Sequence, residues 1–140
     1  MIRVTRRYRI SASHRLHAAE FSEEENRILY GKCNNPLGHG HDYAIEVSVR
    51  GPVDPVSGRA ADLSALDALV RRHVVEPFDH RNLNAEIPAF AREVPTTENL
   101  AREIRRRLLR NWSGAFPGEW PKLDRVRIQE TKRNTFDLYE

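Results

Sequence analysis

The stretch Ile2-Arg3-Val4-Thr5-Arg6-Arg7-Tyr8-Arg9-Ile10-Ser11-Ala12-Ser13-His14 decides the architecture. Side chains alternate across an extended chain, so Ile2, Val4, Tyr8, Ile10 and Ala12 share one face. Arg3, Thr5, Arg7, Arg9, Ser11 and Ser13 take the other, and Arg6 is the only misfit. This is the signature of a strand with one buried face. A second such stretch covers residues 39–50, where Tyr43, Ile45, Val47 and Val49 oppose Asp42, Glu46, Ser48 and Arg50. The turn formers of Gly51-Pro52-Val53-Asp54-Pro55-Val56-Ser57-Gly58 end it.

Outward from this pair, the period changes from two to about four. Leu63, Leu66, Leu69, Val70 and Val74 form an apolar stripe that predicts a helix from Leu63 to Val75, capped by Asp62 and stopped by Pro77. Leu100, Ile104, Leu108 and Trp112 predict a second, from Thr97 to Trp112, with Thr96 or Thr97 as its cap and Glu98 in a first turn that favours an acid. A short helix is expected over Ser22–Tyr30, beginning at the acidic run Glu23-Glu24-Glu25. Strands follow at Lys122–Glu130 and Thr135–Tyr139, separated by Thr131-Lys132-Arg133-Asn134. The order ββααββ reads as an α+β fold, a four-stranded antiparallel sheet with two helices on one face.

The 140 residues suit one domain, 1–140, and are 39% hydrophobic and 31% charged. Mean hydropathy is −0.67, and no stretch approaches the ~18 apolar residues of a membrane span. No apolar leader opens the chain, so a cytoplasmic protein that does not engage membranes is expected. The single cysteine, Cys33, excludes an intrachain disulfide and any multi-cysteine zinc site. Of 23 basic residues only Lys32, Lys122 and Lys132 are lysine, and the net charge is +3 because 20 acids are interspersed among them. That interspersion argues against a nucleic-acid surface, while an arginine-rich chain remains suited to a small phosphate-bearing ligand.

The chemistry gathers around Cys33-Asn34-Asn35-Pro36-Leu37-Gly38-His39-Gly40-His41. Residues two apart on a strand project together, so His39 and His41 offer two imidazoles to one ion. His14 ends the first strand on its apolar face, and antiparallel pairing brings it beside them. Three histidines with an open fourth position form a catalytic rather than a structural zinc arrangement. Cys33 then reads as a fourth ligand, as a thiolate base acidified by the metal, or as an inert thiol. Asp79-His80, in a loop after the first long helix, is either an acid/base couple or an Asx turn with a surface histidine. Glu130 continues the inward face marked by Val126 and Ile128, so it either anchors a ligand bearing paired N–H donors or is a strand end already in solvent. His17 and His73 read as structural or solvated.

The motifs Ile10-Ser11-Ala12-Ser13-His14-Arg15-Leu16, Gly31-Lys32-Cys33 through Asp42-Tyr43, Asp79-His80-Arg81-Asn82-Leu83, Pro95-Thr96-Thr97-Glu98-Asn99 and Glu130-Thr131 occur in that order. In this the chain resembles the 6-pyruvoyl-tetrahydropterin synthases and the related 6-carboxy-tetrahydropterin synthases of queuosine biosynthesis. The resemblance implies the tunnelling fold, in which three subunits close a twelve-stranded barrel and two trimers stack into a homohexamer. It implies Zn2+ held by His14, His39 and His41, with Cys33 as the proton-abstracting base and Asp79 and His80 as proton relays serving a neighbouring subunit's cysteine. Glu130 would be the pterin anchor, and Thr96, Thr97 and Glu98 would complete the pocket. The implied reaction converts 7,8-dihydroneopterin triphosphate to 6-pyruvoyl-tetrahydropterin. Alternatives are the carboxy-forming reaction that releases acetaldehyde, and a non-catalytic metal- or pterin-binding member. Five residues separate Cys33 from His39, which resembles the pyruvoyl-forming loop, whereas Asp42 departs from that group's usual asparagine.

Overall fold

A computed structural model describes residues 1–139. Strand β1 spans Ile2–His14 and pairs antiparallel along its whole length with β2, His39–Gly51. Strand β4, Lys122–Glu130, lies on the other side of β2, and β5, Asn134–Tyr139, forms an outer edge. The sheet has five strands rather than the expected four, and it is mixed rather than purely antiparallel. A two-residue strand β3, Arg81–Asn82, pairs parallel with Ala12–Ser13 at the β1 edge. Two residues carry no periodicity, so alternation cannot announce such a strand. It is fixed by tertiary bonds just before it: Ser11 N donates to Asp79 Oδ1 at 2.8 Å, and His80 N donates to Ser11 O at 2.6 Å.

Helix α1, Glu23–Tyr30, starts with a capping box in which Ser22 and Glu25 exchange bonds with each other's backbone N–H groups. A 3-10 turn at Gly31–Asn34 follows it. The first long helix begins as expected at α2, Leu63–Val70, with Asp62 as its cap. It does not stop before Pro77. It widens into a π turn over Arg71–Val75 and runs on as α3, Glu76–Phe78. Pro77 has no N–H for the carbonyl of His73, and Arg107 Nη1 approaches that oxygen at 3.5 Å instead. Short turns follow at α4, Leu83–Glu86, and at Pro88–Ala91. Helix α5, Thr97–Arg110, ends two residues before Trp112 because Asn111 leaves helical geometry while its side chain donates to the carbonyl of Arg107 at 2.8 Å. Trp112 opens the separate turn α6, Trp112–Ala115, and donates from Nε1 to Pro121 O at 2.9 Å.

One face of the sheet is covered. Leu66, Leu69, Val70 and Val74 join Leu100, Ile104 and Leu108 against Ile10, Tyr43, Ile45, Val47, Val126 and Ile128 in one cluster. Each fully buried Leu or Ile contributes about 1.5–3 kcal/mol to this packing. The misfit Arg6 is also explained: it lies on the covered face and grips Asp67 of α2, with Nη2 2.6 Å from Oδ2. Tyr8 donates to Asp67 Oδ1 at 2.7 Å. The opposite face is a polar layer paired across strands. Arg127 meets Asp137 at 2.6 Å, Arg3 meets Asp124 at 2.5 Å, and Thr5 Oγ1 lies 2.7 Å from Ser48 Oγ. Many of the arginines are thus spent within the chain, in keeping with its small net charge.

Candidate metal and ligand site

The paired strands deliver their histidines to one end of the sheet. In register, His14 faces His39 and Ala12 faces His41. The His14 and His41 ring centroids are 4.6 Å apart, and those of His39 and His41 are 4.7 Å apart. The 3-10 turn brings in the cysteine, with Cys33 Sγ 3.6 Å from His41 Nε2. This turn is lashed to the chain leaving β1: Leu16 N donates to Cys33 O at 2.7 Å, Arg15 Nε to Asn34 O at 3.0 Å, and Asn34 Nδ2 to Leu16 O at 2.7 Å. Gly38 closes the loop with φ +83°, and a Cβ there would stand 3.3 Å from His14 O. Only glycine meets both conditions without strain.

One ligand atom each from His14, Cys33 and His41 lie within 4.8 Å of one another, a set that could hold a metal ion. His39 meets His41 edge to face but is exposed, and it stands beside that set rather than within it. The donors suit a borderline-soft cation. His14 is 1% exposed, and burial, helped by the neighbouring His41, lowers its pKa to about 4, so the ring is neutral near pH 7. Its Nδ1 lies 3.3 Å from Tyr43 Oη, while its Nε2 is buried with no hydrogen-bond partner. A ring held at one nitrogen and bare at the other is the usual state of a metal-ligating histidine. Burial also lowers the pKa of His41. It pushes the Cys33 thiol up, with the charge of Glu130 adding to the effect. A nearby cation would reverse that shift and favour the thiolate.

Beyond His41 stands the carboxylate. Glu130 pairs in register with Tyr43, and its Oε1 lies 3.2 Å from His41 Nδ1, out of line for a hydrogen bond. Its other oxygen accepts from Thr97 Oγ1 at 2.5 Å. Thr97 is buried at the start of α5, whereas Thr96 is the helix cap and accepts from Asn99 N at 3.2 Å. Glu98 points to solvent. Cys33, His41 and Glu130 therefore form a line, thiol to imidazole to carboxylate. Tyr43 is the residue that sequence reasoning left in the core. Its position two residues beyond His41 on the same face was the available signal.

Asp79 and His80 lie at the β1 edge, where His80 borders a hollow that His41 also lines. Asp79 accepts from the backbone N–H of Ser11 at the β1 edge, and His80 adopts φ +59° with its side chain 82% exposed. Their own contact is 3.5 Å, from His80 Nε2 to Asp79 Oδ2. Asp79 Oδ1 thus holds the backbone of β1 rather than closing an Asx turn. His17 lies with Nδ1 3.3 Å from Asn34 Nδ2 and helps to hold the loop.

These features define a class: an α+β protein whose sheet end joins a metal-competent histidine–cysteine cluster to a half-buried carboxylate oriented by a threonine. The sequence profile of the 6-pyruvoyl tetrahydropterin synthase family matches residues 3–140. The chain belongs to that family. It is 46% identical over 131 residues to the 6-pyruvoyl tetrahydrobiopterin synthase of Poecilia reticulata, covering 94% of this chain and 85% of the relative. Identity to the human enzyme of the same name is 48% over 98 residues, covering 70% of this chain and 68% of that one. The solved Caenorhabditis elegans 6-pyruvoyl tetrahydropterin synthase superposes with a TM-score of 0.89 at 37% identity, covering 99% and 95% of the two chains.

Proposed function

We propose that this protein converts 7,8-dihydroneopterin triphosphate to 6-pyruvoyl-tetrahydropterin and inorganic triphosphate. The observation that carries this reading is the line of Cys33, His41 and Glu130, in a chain whose relatives are named for that synthase. Glu130, oriented by Thr97, accepts from the 2-amino and ring N–H groups and sets the pterin plane. Zinc, held by His14, His39 and His41, would supply Lewis acidity to the side-chain hydroxyl oxygens and acidify the adjoining C–H bonds. Cys33, in its thiolate form, removes such a proton. The released electron pair reduces the ring's C=N bond, which takes up a proton, as the side-chain carbinol becomes a carbonyl. The redox change is internal and needs no external oxidant. A second proton leaves the neighbouring carbinol carbon as the C–O bond to triphosphate breaks and its electron pair departs with the triphosphate; the enol so formed takes up a proton at its terminal carbon and becomes the methyl ketone of the pyruvoyl group.

We further assign Asp79 and His80 to proton relay with the Cys33 of an adjoining copy. This is supported by the exposure of the His80 side chain and by its contact with Asp79. Three copies closing a barrel, and two such trimers forming a hexamer, would cover the exposed β5 edge. The free Cys33 thiol suits a reducing cytoplasm. No helix among the described residues is long and apolar enough to cross a membrane.

The test is product identification after incubation with 7,8-dihydroneopterin triphosphate, with zinc content measured on the purified, unchelated protein. Pyruvoyl product from the wild type, and none from Cys33→Ala with its zinc and melting temperature retained, is expected. A carboxy product with acetaldehyde would assign the chain to the carboxy-forming reaction. Unchanged turnover in Cys33→Ala would remove the thiol from the mechanism.

A further inference from the structure

We propose that the cavity of about 440 Å3 beside His39, bounded by Arg27, Gly31, Lys32, Asn35 and Pro36, is the subsite for the substrate's triphosphate, with Lys32 and Arg27 as its cations. This rests on the reading of the substrate given above. The argument begins with direction. Tyr43, His41 and His39 project in turn from the covered face of β2, and Glu130 stands opposite Tyr43. Four residues of strand span about 13 Å. A bicyclic ring anchored at Glu130 therefore lays its three-carbon tail past His41, and the group on the end of that tail arrives at His39. The cavity opens there, at the end of the sheet.

The lining has the chemistry a polyphosphate needs. It contains two cations and a histidine, and none of its residues is acidic. Lys32 is exposed and immediately precedes Cys33 on one 3-10 turn, so successive side chains point in different directions. Cys33 turns inward to His41, and Lys32 faces the cavity. The base and the cation that steadies the leaving group would thus share one rigid turn. Arg27 reaches the cavity from the last turn of α1 while paired with Glu24. Gly31, at φ +54°, lets the chain turn between them, and a Cβ there would meet nothing within 4 Å.

Two other basic hollows fit less well. The larger, with Arg7, Arg9, Lys132 and Arg133, also contains Asp42 and Asp79 and lies on the sheet face opposite His14 and His41. The other, along α5, has Glu93 and Glu103 among its arginines and is remote from the metal cluster.

The test compares two fluorescent, fully oxidised ligands, neopterin triphosphate and neopterin, by equilibrium titration with the zinc-loaded protein. Lys32→Ala is expected to weaken binding of the triphosphate about tenfold, as befits loss of one charge-assisted contact, and to leave neopterin unaffected. Arg27→Ala should do the same to a smaller degree, because Glu24 already shares that guanidinium. Lys32→Arg should restore much of the loss. Equal weakening of both ligands, or no effect on either, would overturn the proposal, as would a loss confined to Lys132→Ala. The reading of the reaction is judged separately, by whether the wild type forms the pyruvoyl product. If it does not, and Lys32→Ala still separates the two ligands, the subsite stands and the reaction falls.

Discussion

Tyr43→Phe isolates the role of a single hydroxyl. Tyr43 is 1% exposed, and its ring fills the core beneath the histidines, so phenylalanine preserves the packing. What disappears is the contact of 3.3 Å with His14 Nδ1. In the tautomer that leaves His14 Nε2 free for a metal, Nδ1–H donates to the phenol oxygen. Removing that acceptor leaves a buried donor short of a partner, a cost of about 1–3 kcal/mol. The contact is long, and the Pro95 carbonyl also favours a proton on this ring, so the low end, about 1 kcal/mol, applies. Partners of this kind typically contribute 10–100-fold to metal affinity, and here roughly tenfold is expected. The assay is zinc competition against a chromophoric chelator at pH 7.5, with thermal unfolding of the chelated protein alongside. A variant about 1 kcal/mol less stable, with zinc affinity within twofold of wild type, would refute the claim that Tyr43 orients His14 and leave it a core residue.

Two further outcomes follow from contacts elsewhere. Thr97→Val removes the donor that holds Glu130 Oε2 at 2.5 Å, and is expected to raise KM for the pterin substrate roughly tenfold, more than it lowers kcat; an unchanged KM in steady-state assays would sever Thr97 from the anchor. Asp67 has its pKa lowered, chiefly by the hydrogen bond from Arg6, below the ordinary 3.8. A carboxylate depressed in the folded state adds stability above its unfolded value and loses it as the pH falls through the folded one. Wild type should therefore exceed Asp67→Asn by about 0.5–1 kcal/mol in urea unfolding at pH 7. That gap should narrow below pH 4, and a constant gap would show that the charge is idle.

The parts of this fold that repeat were legible in the sequence. The period-two faces of β1 and β2 place His14, His39 and His41 together, and the parity of β4 puts Glu130 on the same side. Features set by tertiary bonds were not. Strand β3 exists because Asp79 and His80 bind the backbone of Ser11, and two residues have no period to read. The π turn at Arg71–Val75 keeps the stripe of Leu66, Leu69 and Val74, so it changes nothing that a hydrophobic pattern reports. Tyr43 reads as an ordinary core aromatic, since an apolar body and a working hydroxyl occupy the same position. Arg6 looked like an error in the alternation and became an ion pair once α2 lay above it.

The pairing of His14 with His39 has a consequence for assembly of the chain itself. The ligand atoms come from separate strands and meet only when the β1–β2 ladder forms in one register. A slip of a single residue would send every side chain of one strand to the opposite face and scatter the set. An ion that binds this cluster is therefore a proofreader of strand alignment. At a free concentration one hundred times its Kd it deepens the correctly paired state by about 2.7 kcal/mol and gives nothing to the misaligned ones.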